Sequence, residues 1–225
     1  MDIKTRSEIQ AEITRLANKY QRTDNNISLL AVSKTRSATE IELLINQGQL
    51  CFGENYLQEA TEKIETLKEH DLEWHYIGKI QSNKTRLIAT HFDWVHTVDR
   101  LKIAQRLNDQ RPAELAPIKV CLQVNSSGEA SKGGISFDEL PTLVKEVNQL
   151  EHIELRGLMT LPAPADELEQ QRLPFKAVRA AFDSLRQQGV DLDTLSMGTT
   201  NDFEAAIAEG ATMIRIGTAL FGARQ

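Results

Sequence analysis

The 225 residues carry 26 lysines and arginines against 32 aspartates and glutamates, a formal net charge of -6, and 40% of them are hydrophobic. That balance suits a sizeable globular core and excludes a fibre, a disordered chain and a protein that relies on counterion release from nucleic acid. The opening MDIKTRSEIQ lacks the apolar core of a secretory signal, and no later stretch approaches the roughly 20 apolar residues of a membrane span, so a soluble cytoplasmic protein is expected.

Thr5 and Glu8 have the spacing of a capping box, and Ile9, Ile13, Leu16 and Tyr20 follow it at helical intervals, which predicts a first helix. The β-branched run ISLLAVS from Ile27 reads as a strand, and Ser37 with Glu40 opens the next helix. Strands are then expected at LCFG from Leu50, EWHYIG from Glu73, WVHTVD from Trp94, IKVCLQVN from Ile118, IELRGLMT from Ile153, TLSMG from Thr194 and MIRIGT from Met213. Helical runs centre on Leu57, Leu87, Ile103, Leu143, Val178 and Ala205. Gly48, Gly189 and Gly210 each follow such a run and suit its left-handed C-terminal turn. Pro112, Pro117, Pro162 and Pro164 punctuate loops.

About eight strands alternating with helices are what closes a parallel barrel. The expected fold is therefore α/β, a single TIM-type (β/α)8 barrel with an extra N-terminal helix, forming one domain over residues 1–225. The rival, an open doubly wound sheet, needs a glycine-rich first turn, and AVSKTRSATE has none. Cys51 and Cys121 lie in strand runs without metal-ligand spacing and read as core thiols, not as a disulfide.

In such a barrel the chemistry gathers at the C-terminal ends of the strands. Lys34 ends the first strand run after apolar AVS, where walls of low polarity would disfavour its ammonium. A neutral amine can form a Schiff base; a lysine reaching into solvent is the alternative. Gly198, Thr199 and Thr200 lie between the seventh strand and a helix expected to start near Asn201, so backbone N–H groups and two hydroxyls could meet a phosphate there. Gly217 and Thr218 end the eighth strand beside them. A plain helix cap is the competing reading. Arg215 alternates with Ile214 and Ile216, so it faces the barrel interior and needs an acceptor or an anion.

AVSK, FGENY, WHYIG, IQSNKTR, GLMT and the ending LSMGTTNDFEAAIAEGATMIRIGTALFGAR together resemble the YggS-type pyridoxal phosphate homeostasis proteins over essentially the whole chain. The resemblance implies a barrel of the alanine racemase type (PLP fold type III) with pyridoxal 5'-phosphate (PLP) held as a Schiff base on Lys34. It implies further that Arg215 faces the pyridine nitrogen, that Thr200, Gly217 and Thr218 hold the phosphate with help from Gly198 and Thr199, and that Asn55 lies near the cofactor. The sequence departs from the family in having Thr199, Thr200, Asn201 and Asp202 after Gly198, where Met-Ser-Asp-Asp is usual, and in Lys79, where proline or histidine is common. Lys79 is a second lysine near the mouth, and Ser131, Lys132, Gly133 and Gly134 form either a phosphate-touching loop or an ordinary turn.

His75 is expected to be a core histidine bonded to backbone, while Glu54 and His96 end strands with no partner assignable. The function expected is PLP storage, buffering or delivery by a monomer that turns over no substrate. Its partners would be PLP and the apo-enzymes that require it, with no nucleic acid, membrane or metal. The alternatives are a PLP-dependent amino-acid racemase, which would carry an added β-domain where this chain stops at Gln225, and a Schiff-base aldolase acting on a sugar phosphate.

Overall fold

The computed structural model describes residues 5–22, 26–128 and 133–222. Helix α1 (Arg6–Lys19) precedes the first strand, and the elements then alternate: β1 (Ser28–Val32), α2 (Ala38–Ile45), β2 (Cys51–Glu54), α3 (Leu57–Thr66), β3 (Glu73–Tyr76), α4 (Thr85–His91), β4 (Trp94–Val98), α5 (Leu101–Gln110) and β5 (Ile118–Gln123). They continue through α6 (Leu140–Val147), β6 (Ile153–Met159), α7 (Leu168–Gln187), β7 (Thr194–Ser196), α8 (Phe203–Ala208), β8 (Met213–Ile216) and α9 (Thr218–Phe221). Every strand pairs in parallel with its neighbour in chain order, and β8 returns to β1 with Ser28 opposite Met213 and Ala31 opposite Ile216. The sheet is a closed (β/α)8 barrel, as the alternation of β-branched and amphipathic runs predicts.

The outer faces of the strands meet the helices in one apolar layer that includes Phe52, Ile88, Phe92, Ile103, Phe175 and Val178, all fully buried. Each such side chain contributes about 1.5–3 kcal/mol on leaving water. Helix α1 carries both halves of its Thr5–Glu8 capping box and buries Ile9, Ile13 and Leu16. Beyond its end, Tyr20 donates to Glu204 (3.0 Å) and Arg22 donates to the carbonyls of Ile207 (3.2 Å) and Ala211 (2.9 Å), which fastens α1 to α8.

Inside the ring the content is different. Trp94, Cys121 and Met159 form a separate small cluster, and His75, His96, Ser196 and Arg215 are buried among the strands. The bond from His96 on β4 to Ser196 on β7 joins strands that are not neighbours, so it crosses the interior.

Several strands stop short of the runs expected for them, and two boundaries that differ shape the barrel mouth. Strand β1 stops at Val32, which puts Lys34 in the turn that follows. Helix α8 starts at Phe203 and not near Asn201, because the Asp202 carboxylate gathers the Thr199 N–H (2.5 Å) and hydroxyl (2.8 Å) into a local turn. A short polar side chain bonding to nearby backbone competes with helix in this way.

Candidate functional site at the barrel mouth

A cavity of about 260 Å³, just below the usual range for ligand pockets, opens at the C-terminal ends of the strands. It is lined by Lys34 from the loop after β1, Asn55 after β2, Thr199 and Thr200 after β7, Arg215 on β8, and Gly217 and Thr218 at the start of α9. Val32, Ile77, Met159 and Leu161 give it apolar walls, and Asn201 completes the lining. Gly198 lies just below, where its carbonyl accepts from the Arg215 N–H (3.0 Å). Its φ of +94° and the 2.6 Å that would separate an added Cβ from the Ala206 Cβ both require glycine.

Arg215 is 4% exposed, and its guanidinium donates from Nη1 to Ser196 Oγ (2.9 Å) and from Nη2 to the Thr160 carbonyl (2.9 Å). Both acceptors are uncharged, and burial pushes the guanidinium down to about 10, so it is still a cation near neutrality. Asn55 Oδ1 is buried with no hydrogen-bond partner among the described residues. Its backbone is pinned by Gly78, where any Cβ would lie 2.2 Å from the Asn55 carbonyl.

Beneath Lys34 is a polar cluster whose members the sequence did not connect. The Ser33 hydroxyl donates to Glu54 Oε1 (2.6 Å), and Lys63, reaching from α3, donates to Glu54 Oε1 (2.8 Å), to the Ser33 carbonyl (2.8 Å) and to Glu59. Burial pushes the Glu54 carboxyl up from the usual carboxylate range, against the pull of Lys63 and Ser33. Thr35 has a left-handed φ of +63°, an unfavourable conformation for a β-branched residue, and its N–H is held by Glu59 Oε1 (2.6 Å). The turn that carries Lys34 is thus fixed from both sides. The only hint in the sequence was the i,i+4 spacing of Glu59 and Lys63, which reads as an ordinary solvated helix pair.

The remaining candidates lie elsewhere. Lys79 is exposed and lines a neighbouring cavity of about 660 Å³ with Tyr56, Tyr76 and Lys84, sharing Asn55 with the first. Ser131 and Lys132 fall outside the described residues. His75 bonds to side chains and not to backbone: Nε2 lies 3.0 Å from Glu73 Oε1 and Nδ1 lies 2.9 Å from His96 Nε2. Cys51 and Cys121 are free thiols. Cys51 comes together with Glu73 and His75 at the opposite end of the barrel, where the thiol donates to Glu73 Oε1 (3.7 Å) and Lys119 to Glu73 Oε2 (3.0 Å). Among the described residues no helix is long and apolar enough to cross a membrane.

The family model for the N-terminal domain of alanine racemase matches residues 6–225. The pyridoxal phosphate homeostasis protein of Escherichia coli K12 is 50% identical over 221 residues, covering 97% of this chain and 94% of that protein. This chain belongs to the pyridoxal phosphate homeostasis family. Another member, from Pseudomonas aeruginosa PAO1, is 53% identical over 218 residues, with 97% of this chain and 94% of that protein covered. Among solved structures, PipY of Synechococcus elongatus PCC7942 is 38% identical, covering 93% of this chain and 99% of that one. It superposes with a TM-score of 0.83 in the structure without PLP and 0.79 in the structure with PLP bound. The barrel and the family expected from the sequence are therefore both met.

Proposed function

We propose that this protein binds pyridoxal 5'-phosphate at the barrel mouth and serves PLP homeostasis inside the cell, storing, buffering or delivering the cofactor as a single barrel domain. The observation that carries this reading is the convergence on one small pocket of a lysine, a buried guanidinium and the Thr200 and Thr218 hydroxyls. The residues fit the chemical parts of PLP: an aldehyde for Lys34, a ring nitrogen acceptor for Arg215, and a phosphate for Thr200, Thr218 and the Gly217 backbone. Asn55 Oδ1 adds to the fit, since an unpaired buried polar atom costs about 1–3 kcal/mol and a carboxamide can turn either its oxygen or its NH2 to a ligand. The E. coli relative's name and the PLP in PipY point the same way.

When bound, PLP supplies an aldehyde that condenses with amines and a ring that can withdraw electrons. Lys34 would hold it as a Schiff base, on a turn kept rigid by the Glu54–Lys63 pair. Thr200 would meet the phosphate with its hydroxyl, while Thr199, engaged by Asp202, shapes the loop. Gly198 lets β7 leave the barrel in the direction that brings these threonines to the pocket.

Carriage suits these groups better than catalysis. A permanent cation at Arg215 opposes a second positive charge on the ring nitrogen, which weakens electron withdrawal. Racemisation also needs an acid or base on each face of the reacting carbon. Lys34 can serve one face, but the three tyrosines are placed elsewhere: Tyr20 on Glu204, Tyr76 on the Lys79 carbonyl (3.2 Å), and Tyr56 in the neighbouring cavity. Apo-enzymes that need PLP are the natural recipients.

The test is the absorbance of purified protein mixed with PLP. A visible band that borohydride makes permanent, with the pyridoxyl group mapped to Lys34, is expected. Protein that stays colourless, or label found mainly on Lys79 or Lys132, overturns the assignment. Turnover of L-alanine or L-serine at ordinary enzyme rates of about 1 per second, lost in Lys34→Ala, would make it an enzyme.

A further inference from the structure

Among the described residues the buried Arg215 cation has no carboxylate in contact, since Ser196 Oγ and the Thr160 carbonyl are both neutral. An unpaired buried charge is costly, so its compensation must be sought further away. From Ser196 a continuous chain of side-chain bonds runs through the interior to the other end of the barrel. Ser196 Oγ lies 2.8 Å from His96 Nδ1, His96 Nε2 lies 2.9 Å from His75 Nδ1, and His75 Nε2 lies 3.0 Å from Glu73 Oε1. Ser196, His96 and His75 are all fully buried, and Glu73 is half-buried.

With both rings neutral, the carboxylate end dictates the direction of every bond. A guanidinium can only donate and a carboxylate can only accept. Ser196 therefore accepts from Arg215 and spends its one O–H on His96 Nδ1. With Nδ1 an acceptor, neutral His96 carries its proton on Nε2 and donates to His75 Nδ1. His75 in turn carries its proton on Nε2 and donates to Glu73. The opposite direction fails at Glu73, because neutral rings would then need a donating carboxylate; the Ser196 oxygen alone could accept from both Arg215 and His96.

The surroundings favour these charge states. Burial keeps both imidazoles neutral, lowering His75 and more strongly His96, with Arg215 adding to the effect on His96 and Glu73 and Asp93 opposing it at His75. Burial pushes Glu73 up, but the His75 and Lys119 donors outweigh it and hold the carboxyl below its usual range. Trp94 stacks on His75 with ring centroids 5.4 Å apart and planes within 12°, and Lys119 and Arg156 lie over the Trp94 ring at 5.3 and 5.4 Å. Cys51 faces Glu73, while Asp202 and Cys121 act on Arg215 through space.

We propose that Ser196, His96, His75 and Glu73 are positioning residues for Arg215, a one-way hydrogen-bonded relay that aims the guanidinium into the mouth pocket and anchors it to a carboxylate at the far end of the barrel. The inference rests on the PLP reading of that pocket. Each link is polarised in the same sense by the cation above and the anion below, so the links reinforce one another. Arg215 is thereby held as a donor towards the bound ring, and a change at Glu73 is felt at the pocket although Glu73 does not line it.

The first test needs neither a variant nor PLP. In the full-length protein with 15N-labelled histidine, NMR near neutral pH should find both His75 and His96 neutral, with a bare Nδ1 and a protonated Nε2. Either ring as the Nδ1–H form or as a cation overturns the relay. The second test uses PLP-loaded protein. His96→Leu, which cuts the chain, should weaken PLP about tenfold, the size of one lost bond to a charged group. His96→Gln keeps one donor and one acceptor and should stay within about threefold of the unaltered protein. Glu73→Gln should weaken PLP several-fold, shift the pH profile of the visible band and move the His96 Nδ1 resonance. Equal PLP binding and an unchanged pH profile in His96→Leu and Glu73→Gln overturn the proposal. If the unaltered protein takes up no PLP, the reading of the pocket fails, and histidine spectra with the stated protons would still establish the relay's direction.

Discussion

Lys63 offers the sharpest test of how the turn carrying Lys34 is held. Its side chain is 7% exposed and its ammonium touches Glu54, Glu59 and the Ser33 carbonyl, while the Glu54 side chain is wholly buried. Lys63→Met keeps most of the volume and removes the cation, leaving a buried carboxylate unpaired. Losing one partner of a buried pair costs about 3–5 kcal/mol. At roughly 2–4 °C per kcal/mol for a chain of this size, the melting temperature should fall by about 6–20 °C. The loss should also depend on pH. Burial already raises Glu54 in the folded state, and removing Lys63 raises it further. A carboxyl raised above its unfolded value, about 4.3, adds stability that is complete below that value and is lost as pH rises through the folded one. The deficit of Lys63→Met should therefore be smaller near about pH 5 than near about pH 8. Adding Glu54→Gln to Lys63→Met should recover much of the loss, because no buried charge then remains. Thermal melts of PLP-free protein followed by circular dichroism at both pH values provide the measurement. A pH-independent deficit, or a double variant no more stable than Lys63→Met, would refute the reasoning.

Lys34→Ala should abolish the visible PLP band yet change stability by no more than about 0.5 kcal/mol in a denaturant titration, since the residue is in a half-exposed turn. Thr200→Ala should weaken PLP about ten- to hundredfold and pyridoxal much less, the difference reporting a lost bond to phosphate; isothermal titration with both ligands checks it. Gly198→Ala should cost roughly 1–3 kcal/mol in the same titration, because its backbone is left-handed and Ala206 occupies the space a Cβ would need.

The barrel was legible because each parallel strand is buried on both faces and so appears as a compact β-branched run such as ISLLAV or IKVCL, separated by amphipathic helices. Lys34, Thr200 and Arg215 were legible as pocket residues because each lies at or just past a strand end. The interior relay was not. His75, His96 and Ser196 are on β3, β4 and β7, and only closure of the ring brings the last of these to the others. The same holds for Lys63, whose spacing from Glu59 describes a surface pair until α3 is packed over Ser33 and Glu54. The start of α8 was misplaced because an Asp202 carboxylate reaching back to Thr199 is a local competition that helical periodicity does not register.

The mouth pocket takes Lys34 from the first strand's loop and Arg215, Gly217 and Thr218 from the last, elements that become neighbours only when β8 docks on β1. During synthesis Lys34, proposed above as the group that captures the aldehyde, is made well before Arg215, Gly217 and Thr218, proposed as groups that retain the cofactor. A nascent chain should therefore trap PLP weakly until its final strand is released. A ligand that binds the closed ring alone would then favour that last docking step, making cofactor supply a quality check on the finished barrel.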